Sequence, residues 1–410
     1  MSAKLAALAL VVALAGTACA ATVRLETETL TAPTAGPTPD GEAMPAGTPT
    51  GDEGVTPTAE PTEAPASTVS PAVEATASIE VSYTEVDQVG ETSRGRLVVS
   101  DNGSWRHERR GVVSVFDANT REQVDSFADE DGEPIAFATV DLGLGGPDPW
   151  GRYWLPGAEH RDGVWMRADR GEATAVERLG REAWQFDTAL VPNAIGGGPD
   201  QVTVIIDAET GVVLFYDATV AGAPWARVEA TEVVVAGPAD PGTFTMTDVE
   251  IEPDPFSAGF ELTTLDQVEA AVGYAPMTPT ILPGGYVLGR VAVAPGVTDG
   301  ATGVEASNPN NSDVVQLEYT NGWRRFVVTT RRATEAAYPW VDPFSGEGTF
   351  YEITTTLIGA GAFAGVLAEM STSPETQPHL WADGRGFVLT IDGPLDEAQM
   401  ITIANSIEPR

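Results

Sequence analysis

Few side chains in this 410-residue chain stand where they could do covalent or metal chemistry. The three histidines, His107, His160 and His379, lie far apart, and none has a second ligand at the spacing that zinc sites use. Each reads as a surface or packing histidine. No Gly-x-Ser-x-Gly turn is present to expose a serine nucleophile. The glycines around Gly143 to Gly146 and Gly196 to Gly198 lack the following Lys-Ser or Lys-Thr that a phosphate cradle needs. Asp129, Glu130, Asp131 and Gly132 offer too few spaced oxygens for a calcium loop and read as an acidic turn. Nothing in the sequence pairs Asp117 or Asp187 with a second acid or base. The expectation is no catalytic residue, no metal ligand, no cofactor and no enzyme.

The one reactive thiol, Cys19, follows a leader. Lys4 gives a short positive start, Leu5 to Ala15 are apolar, and Gly16, Thr17 and Ala18 are small. That pattern is a secretory signal peptide, too short to span a bilayer. A leader ending on cysteine resembles the lipobox of bacterial lipoproteins, in which the thiol is acylated and becomes the first mature residue. Gly16 stands where that motif usually carries Leu, Val or Ile. The alternative is plain secretion, with cleavage after Ala18 or Ala20. With a single cysteine, an intramolecular disulfide is impossible. The expected location is extracytoplasmic, anchored to the membrane through lipid on Cys19, or else secreted.

Charge removes further classes. The net charge is −38, and the leader's Lys4 is the sole lysine. Such a chain repels nucleic acid and anionic headgroups, so phosphate-backbone binding is excluded.

Aromatic residues are the remaining lead. Trp105, Phe116, Trp150, Trp154, Trp165, Trp184, Phe186 and Phe215 all fall in the first half of the ordered sequence. They are either bulky filler for a sheet core or, in part, the lining of an apolar cleft for an acyl chain or hydrophobic peptide. Gly and Pro around Trp150 and Trp154 put that pair on a loop that could gate a cleft or cap the sheet.

Several elements must position these residues. Residues 1–18 are the leader, and 19–78 form a Thr/Pro/Glu-rich tether that buries too little apolar surface to fold. Strand signals follow at Ile79 to Tyr83, Gly95 to Ser100, Val112 to Phe116, Ile135 to Val140, Val164 to Ala168 and Ala183 to Leu190. Val202 to Ile206 turns through Asp207 and Gly211 into Val212 to Tyr216, and Trp225 to Val235 is a further strand. After an acidic spacer, 247–262, Thr264 to Gln267 reads as a capping box opening a helix with Leu265, Val268 and Val272 on one face. Strands are expected at Tyr286 to Val293, Val314 to Tyr319 and Arg325 to Thr330, and a hairpin around Trp381. Leu357 to Ala368 reads as a buried segment. The last helix is expected to open at Gly393 and Pro394, with Met400, Ile403, Ala404 and Ile407 on its core face.

Two resemblances rest on these residues. Arg181 to Phe186, Val202 to Gly211 with Val212 to Leu214, and Arg227 to Val235 closed by Pro241 to Phe244 resemble the LolA-like lipoprotein-carrier superfamily. Leu265 to Val272, the Pro279 to Tyr286 turn, the Trp381 hairpin and Ile403 to Ile407 look like the C-terminal domain of RseB/MucB-type envelope proteins. The resemblance implies an α+β chain: a half-open antiparallel β-barrel over 79–246, then a smaller α+β domain over 263–410, on the disordered stalk. It implies non-catalytic binding of a lipid acyl chain or lipoprotein, in envelope-stress sensing, or else regulation of an anti-sigma factor without a small ligand. No counterpart of the helices that plug such barrels is evident in the first half.

Overall fold

A computed structural model describes residues 74–120, 122–128, 134–140, 155–190, 198–246, 251–253, 261–294, 314–333, 351–374 and 376–410. The leader, Cys19, the tether up to residue 73, the 129–132 turn, the 143–149 loop, Trp150 and Trp154 lie outside these residues. The described residues all fall within one compact unit.

The first half supplies β1 (Ser78–Val86), β2 (Thr92–Ser100), β3 (Trp105–Arg109), β4 (Val112–Asp117), β5 (Glu122–Ala128) and β6 (Pro134–Val140). Helix α1 (Arg161–Asp169) then leads to β7 (Thr174–Arg178), β8 (Arg181–Ala189), β9 (Gln201–Asp207), β10 (Val213–Val220), β11 (Ala223–Ala236) and β12 (Ile251–Pro253). These form a sheet in the order β12-β6-β5-β4-β3-β2-β1-β11-β10-β9-β8-β7, antiparallel except where β12 runs parallel to β6. Its edge strands β12 and β7 do not pair with each other among the described residues, so the sheet is open.

The second half supplies β13 (Glu261–Thr263), α2 (Val268–Val272), β14 (Met277–Pro279), β15 (Val287–Ala294), β16 (Val314–Asn321) and β17 (Arg324–Arg332). It continues with β18 (Thr354–Leu357), β19 (Leu367–Ser371), β20 (His379–Gly384), β21 (Phe387–Asp392), α3 (Glu397–Asn405) and β22 (Ile407–Pro409). Its main sheet runs β13-β15-β16-β17-β21-β20-β19-β18, and β14 pairs with β22. The stretch read as spacer thus carries β12 and β13.

Four tight hairpins share one local solution. Arg110-Gly111, Leu179-Gly180, Ala221-Gly222 and Arg385-Gly386 join β3–β4, β7–β8, β10–β11 and β20–β21, each with positive φ at both residues. Two-residue turns of that hand match the twist of the flanking strands, and glycine at the second position halves the strain. The β9–β10 turn closes as its residues suggest. The Asp207 carboxylate accepts from the backbone N–H and the hydroxyl of Thr210, both at 2.8 Å, and Gly211 takes φ 71°.

Three local expectations are corrected. Val164 to Ala168 is helix, not strand: α1 buries every residue from Arg161 to Arg167, so no polar face reveals its period. Thr264 caps no helix. Its carbonyl accepts from Gln267 N at 2.9 Å in a 3₁₀ turn, and its hydroxyl donates to Gln267 Oε1 at 3.1 Å. The last helix begins at Glu397, beyond Pro394, because Asp396 is the better cap. Asp396 Oδ1 accepts from Gln399 N at 2.8 Å while Gln399 Oε1 accepts from Asp396 N at 2.9 Å. Met400, Ile403, Ala404 and Ile407 all bury as expected, Ile407 from β22. Of the 357–368 stretch, Ile358 and Phe363 are buried, whereas Leu357 and Leu367 are exposed.

Candidate functional site

Strand alternation gives the first sheet one apolar face. Ile79 stands beside Val99, Val81 beside Leu97, Val99 beside Trp105 and Trp105 beside Phe116. On the other side of β1, Val228, Tyr216, Val204 and Phe186 follow in one row, and Trp184 sits opposite Ile206. Trp105 and Phe116 stack with centroids 6.1 Å apart and are 0% and 1% exposed. Trp184 and Phe186 are half-buried on the same face. Phe215 pairs with Ile205, itself part of the core, and with Glu229; it lies between the guanidinium groups of Arg178 and Arg227 at 4.7 and 5.1 Å and packs against the same core. The structure therefore brings six of the eight aromatic residues together, Trp165 among them through α1.

One end of this face is polar, which sequence reasoning missed. The Tyr83 hydroxyl and His107 Nε2 share a hydrogen bond at 2.5 Å, and both residues are buried. Burial first, and the nearby Arg109 second, bring His107 down to about pKa 3. Burial pushes the Tyr83 phenol up, so the pair stays neutral. Beside it the Glu85 carboxylate, 2% exposed, accepts from Arg109 and lies 3.6 Å from Arg110, which also meets Asp87 at 2.8 Å. The signal was available: Trp105, His107 and Arg109 alternate with Arg106 and Glu108.

Helix α1 covers the face from β8 and β9. Trp165 is fully buried, donates Nε1–H to Ala208 O at 3.2 Å, and its ring fills the space a Cβ on Gly211 would need. Around it the contacts are polar. Arg161 and Arg324 lie 5.8 and 5.3 Å from the Trp165 ring, and Arg167 lies 4.6 Å from Phe186. Arg324 forms a two-pronged pair with Asp169. Three residues that follow β19 also hold the helix. Arg167 donates to Thr372 O at 2.7 Å, His160 Nδ1–H to Pro374 O at 2.7 Å, and the Gln377 amide to Asp162 at 3.2 Å and Asp392 at 3.0 Å.

A second seam joins the sheets. Glu318 on β16 takes Arg290 at 2.7 Å and Arg325 at 2.6 Å on the same oxygen, all three nearly inaccessible. Both arginines reach the β2–β3 turn: Arg290 donates to Asn102 O at 2.7 Å and Arg325 to Asp101 O. Burial lowers Arg325 to about pKa 10 against the opposing pull of Glu318.

Among the described residues no group of three or more His, Cys, Asp or Glu side chains could hold a metal, and no helix is long and apolar enough to cross a membrane. A cavity of about 200 Å³ lies away from the aromatic face, between Leu282, Pro283, Asp396, Gln399 and Ile403. It is smaller than the roughly 300–1,000 Å³ of small-molecule sites.

No family model matches the chain, and no curated protein matches its sequence. The crystal structure of MucB is similar over 81% of this chain and 92% of that chain, at 14% identity and TM-score 0.28. The Pseudomonas aeruginosa MucA/MucB complex structure gives 82%, 94%, 15% and 0.26 in the same order. A LolA superfamily protein from Nitrosomonas europaea gives 42%, 91%, 9% and 0.18. The chain is thus similar to MucB over most of its length and to a LolA superfamily protein over about two-fifths of it.

Proposed function

We propose that this chain is a non-catalytic extracytoplasmic lipoprotein, anchored through Cys19, that binds a lipid acyl chain or a lipoprotein. The site is the aromatic face of the first sheet, read as a half-open barrel. One observation carries this reading: α1, which covers that face with Val164 and Trp165 in its core, is held to the second half by hydrogen bonds and the Arg324–Asp169 ion pair. Each of these polar links contributes only about 0.5–1.5 kcal/mol net, so α1 gives way first on the side that faces the second half. An acyl chain entering beneath it meets Trp184 and Phe186, already half-buried, and a neutral Tyr83–His107 pair at the polar end.

The test is native mass spectrometry of the whole chain purified from a lipid-containing host. The expected spectrum carries a lipid adduct that disappears in the folded Trp184→Gln/Phe186→Gln variant. A clean mass with no adduct overturns the lipid reading. The second reading is then preferred: a regulator that binds an anti-sigma factor through its surface. The nearly complete burial of Trp105, Phe116 and Trp165 favours it, because a closed core needs no ligand.

A further inference from the structure

Thr372, Pro374 and Gln377 hydrogen-bond α1 and His160, and Arg324 pairs with Asp169. These contacts come from the second half of the chain and end on the helix that, among the described residues, covers the aromatic face of the first sheet. Gln377 joins two buried carboxylates from different halves, Asp162 on α1 and Asp392 on β21. Arg324 does two jobs at once, pairing with Asp169 and covering the ring of Trp165.

We propose that the chain leaving β19, together with Arg324, is a strap that latches α1 shut. Opening the aromatic face and releasing the second sheet's hold on the first are then one event, not two. Whatever lifts α1 must also free Thr372, Pro374, Gln377 and Arg324. Occupancy of the first sheet is thereby reported at the β19–β20 connection. The strap itself stands on the contacts above; its use as a ligand-driven signal rests on the lipid reading.

Hydrogen–deuterium exchange of the whole chain separates the two. In Arg324→Ala/Gln377→Met without ligand, amides of α1 should exchange about tenfold faster than in the parent, and those after Ser371 should accelerate with them. Those of β1, β2 and β16 should be unchanged. Unaltered exchange in α1, or equal acceleration throughout the molecule, overturns the strap. Gln377→Glu, which sets a third carboxylate between Asp162 and Asp392, guards against a misfolded double variant; it should open α1 with Arg324 intact, and a closed α1 there also overturns the strap. Cis-parinaric acid, a fluorescent fatty acid, then tests the ligand. Faster uptake by the opened variants supports both proposals. Local opening without uptake leaves the strap standing and removes the lipid.

Discussion

Protonating His107 puts a charge into the core, where burial strips it of water. Its folded pKa of about 3 lies well below the ordinary histidine value near 6.5, so between those pH values the unfolded chain binds a proton that the folded chain refuses. Stability contributed by the neutral form is therefore complete above about pH 6.5 and is lost as pH falls toward 3. Linkage puts the loss at roughly 3 kcal/mol between pH 7 and pH 4. His107→Gln can still accept from Tyr83 but does not titrate. Urea unfolding at pH 7 and pH 4 should show a clearly smaller difference for the variant, and an identical difference would exclude His107 as the source. This residue also shows where sequence reading stops. A histidine without a nearby ligand was read as surface or packing, and packing is correct. The phenol that neutralises it comes from β1, 24 positions away, and no local pattern announces that pair.

At the scale of elements, the alternating strands were plain in the sequence and the polar ones were not. Val202, Val204 and Ile206 bury as their alternation predicts, with Ile205 buried beside them. By contrast, β3 reads Trp-Arg-His-Glu-Arg, and its inward side is an indole, an imidazole and a guanidinium that bonds Glu85. Helix α1 hides for a related reason. Asp162 and Arg167 are buried against Gln377 and Thr372 of the far half and Arg161 pairs with Asp162, so residues 161–167 show no wet face to give the helix away. Caps are the converse case, since two look-alike motifs compete for the same geometry. The Thr264 motif yields a 3₁₀ turn, while Asp396 and Gln399 close a reciprocal box on α3. Asp396→Ala should lower stability by about 1 kcal/mol, read from the urea midpoint at constant slope. A neutral result would mean the box adds nothing that water does not supply.

At the scale of the molecule, the two halves meet through charge. Glu318 is shared by two buried arginines, each of which also donates to a backbone carbonyl of the β2–β3 turn. Removing one member of such a cluster leaves an uncompensated charge. Glu318→Gln should therefore cost about 3–5 kcal/mol in chemical denaturation. Adding Arg290→Met should restore part of that loss, because one guanidinium then no longer lacks its carboxylate; strict additivity of the two changes would show that the three side chains do not act together. None of this was legible beforehand. Arg290, Glu318 and Arg325 each sit in strands that were correctly anticipated, but their burial depends on another sheet's turn. The aromatic set is legible as a group and not as a surface, since Phe215 reaches the core's margin between two arginines while Trp105 and Phe116 lie at full burial.

The place of β1 carries a mechanical consequence. The first ordered strand lies in the middle of the sheet, clamped by β2 on one side and β11 on the other, with nine residue pairs along each flank. Tension arriving at Ser78 along the strand axis is a sliding load. The rungs on both flanks must yield together, whereas an edge strand would peel away one rung at a time. A chain held at its leading end and pulled from there meets its stiffest point first.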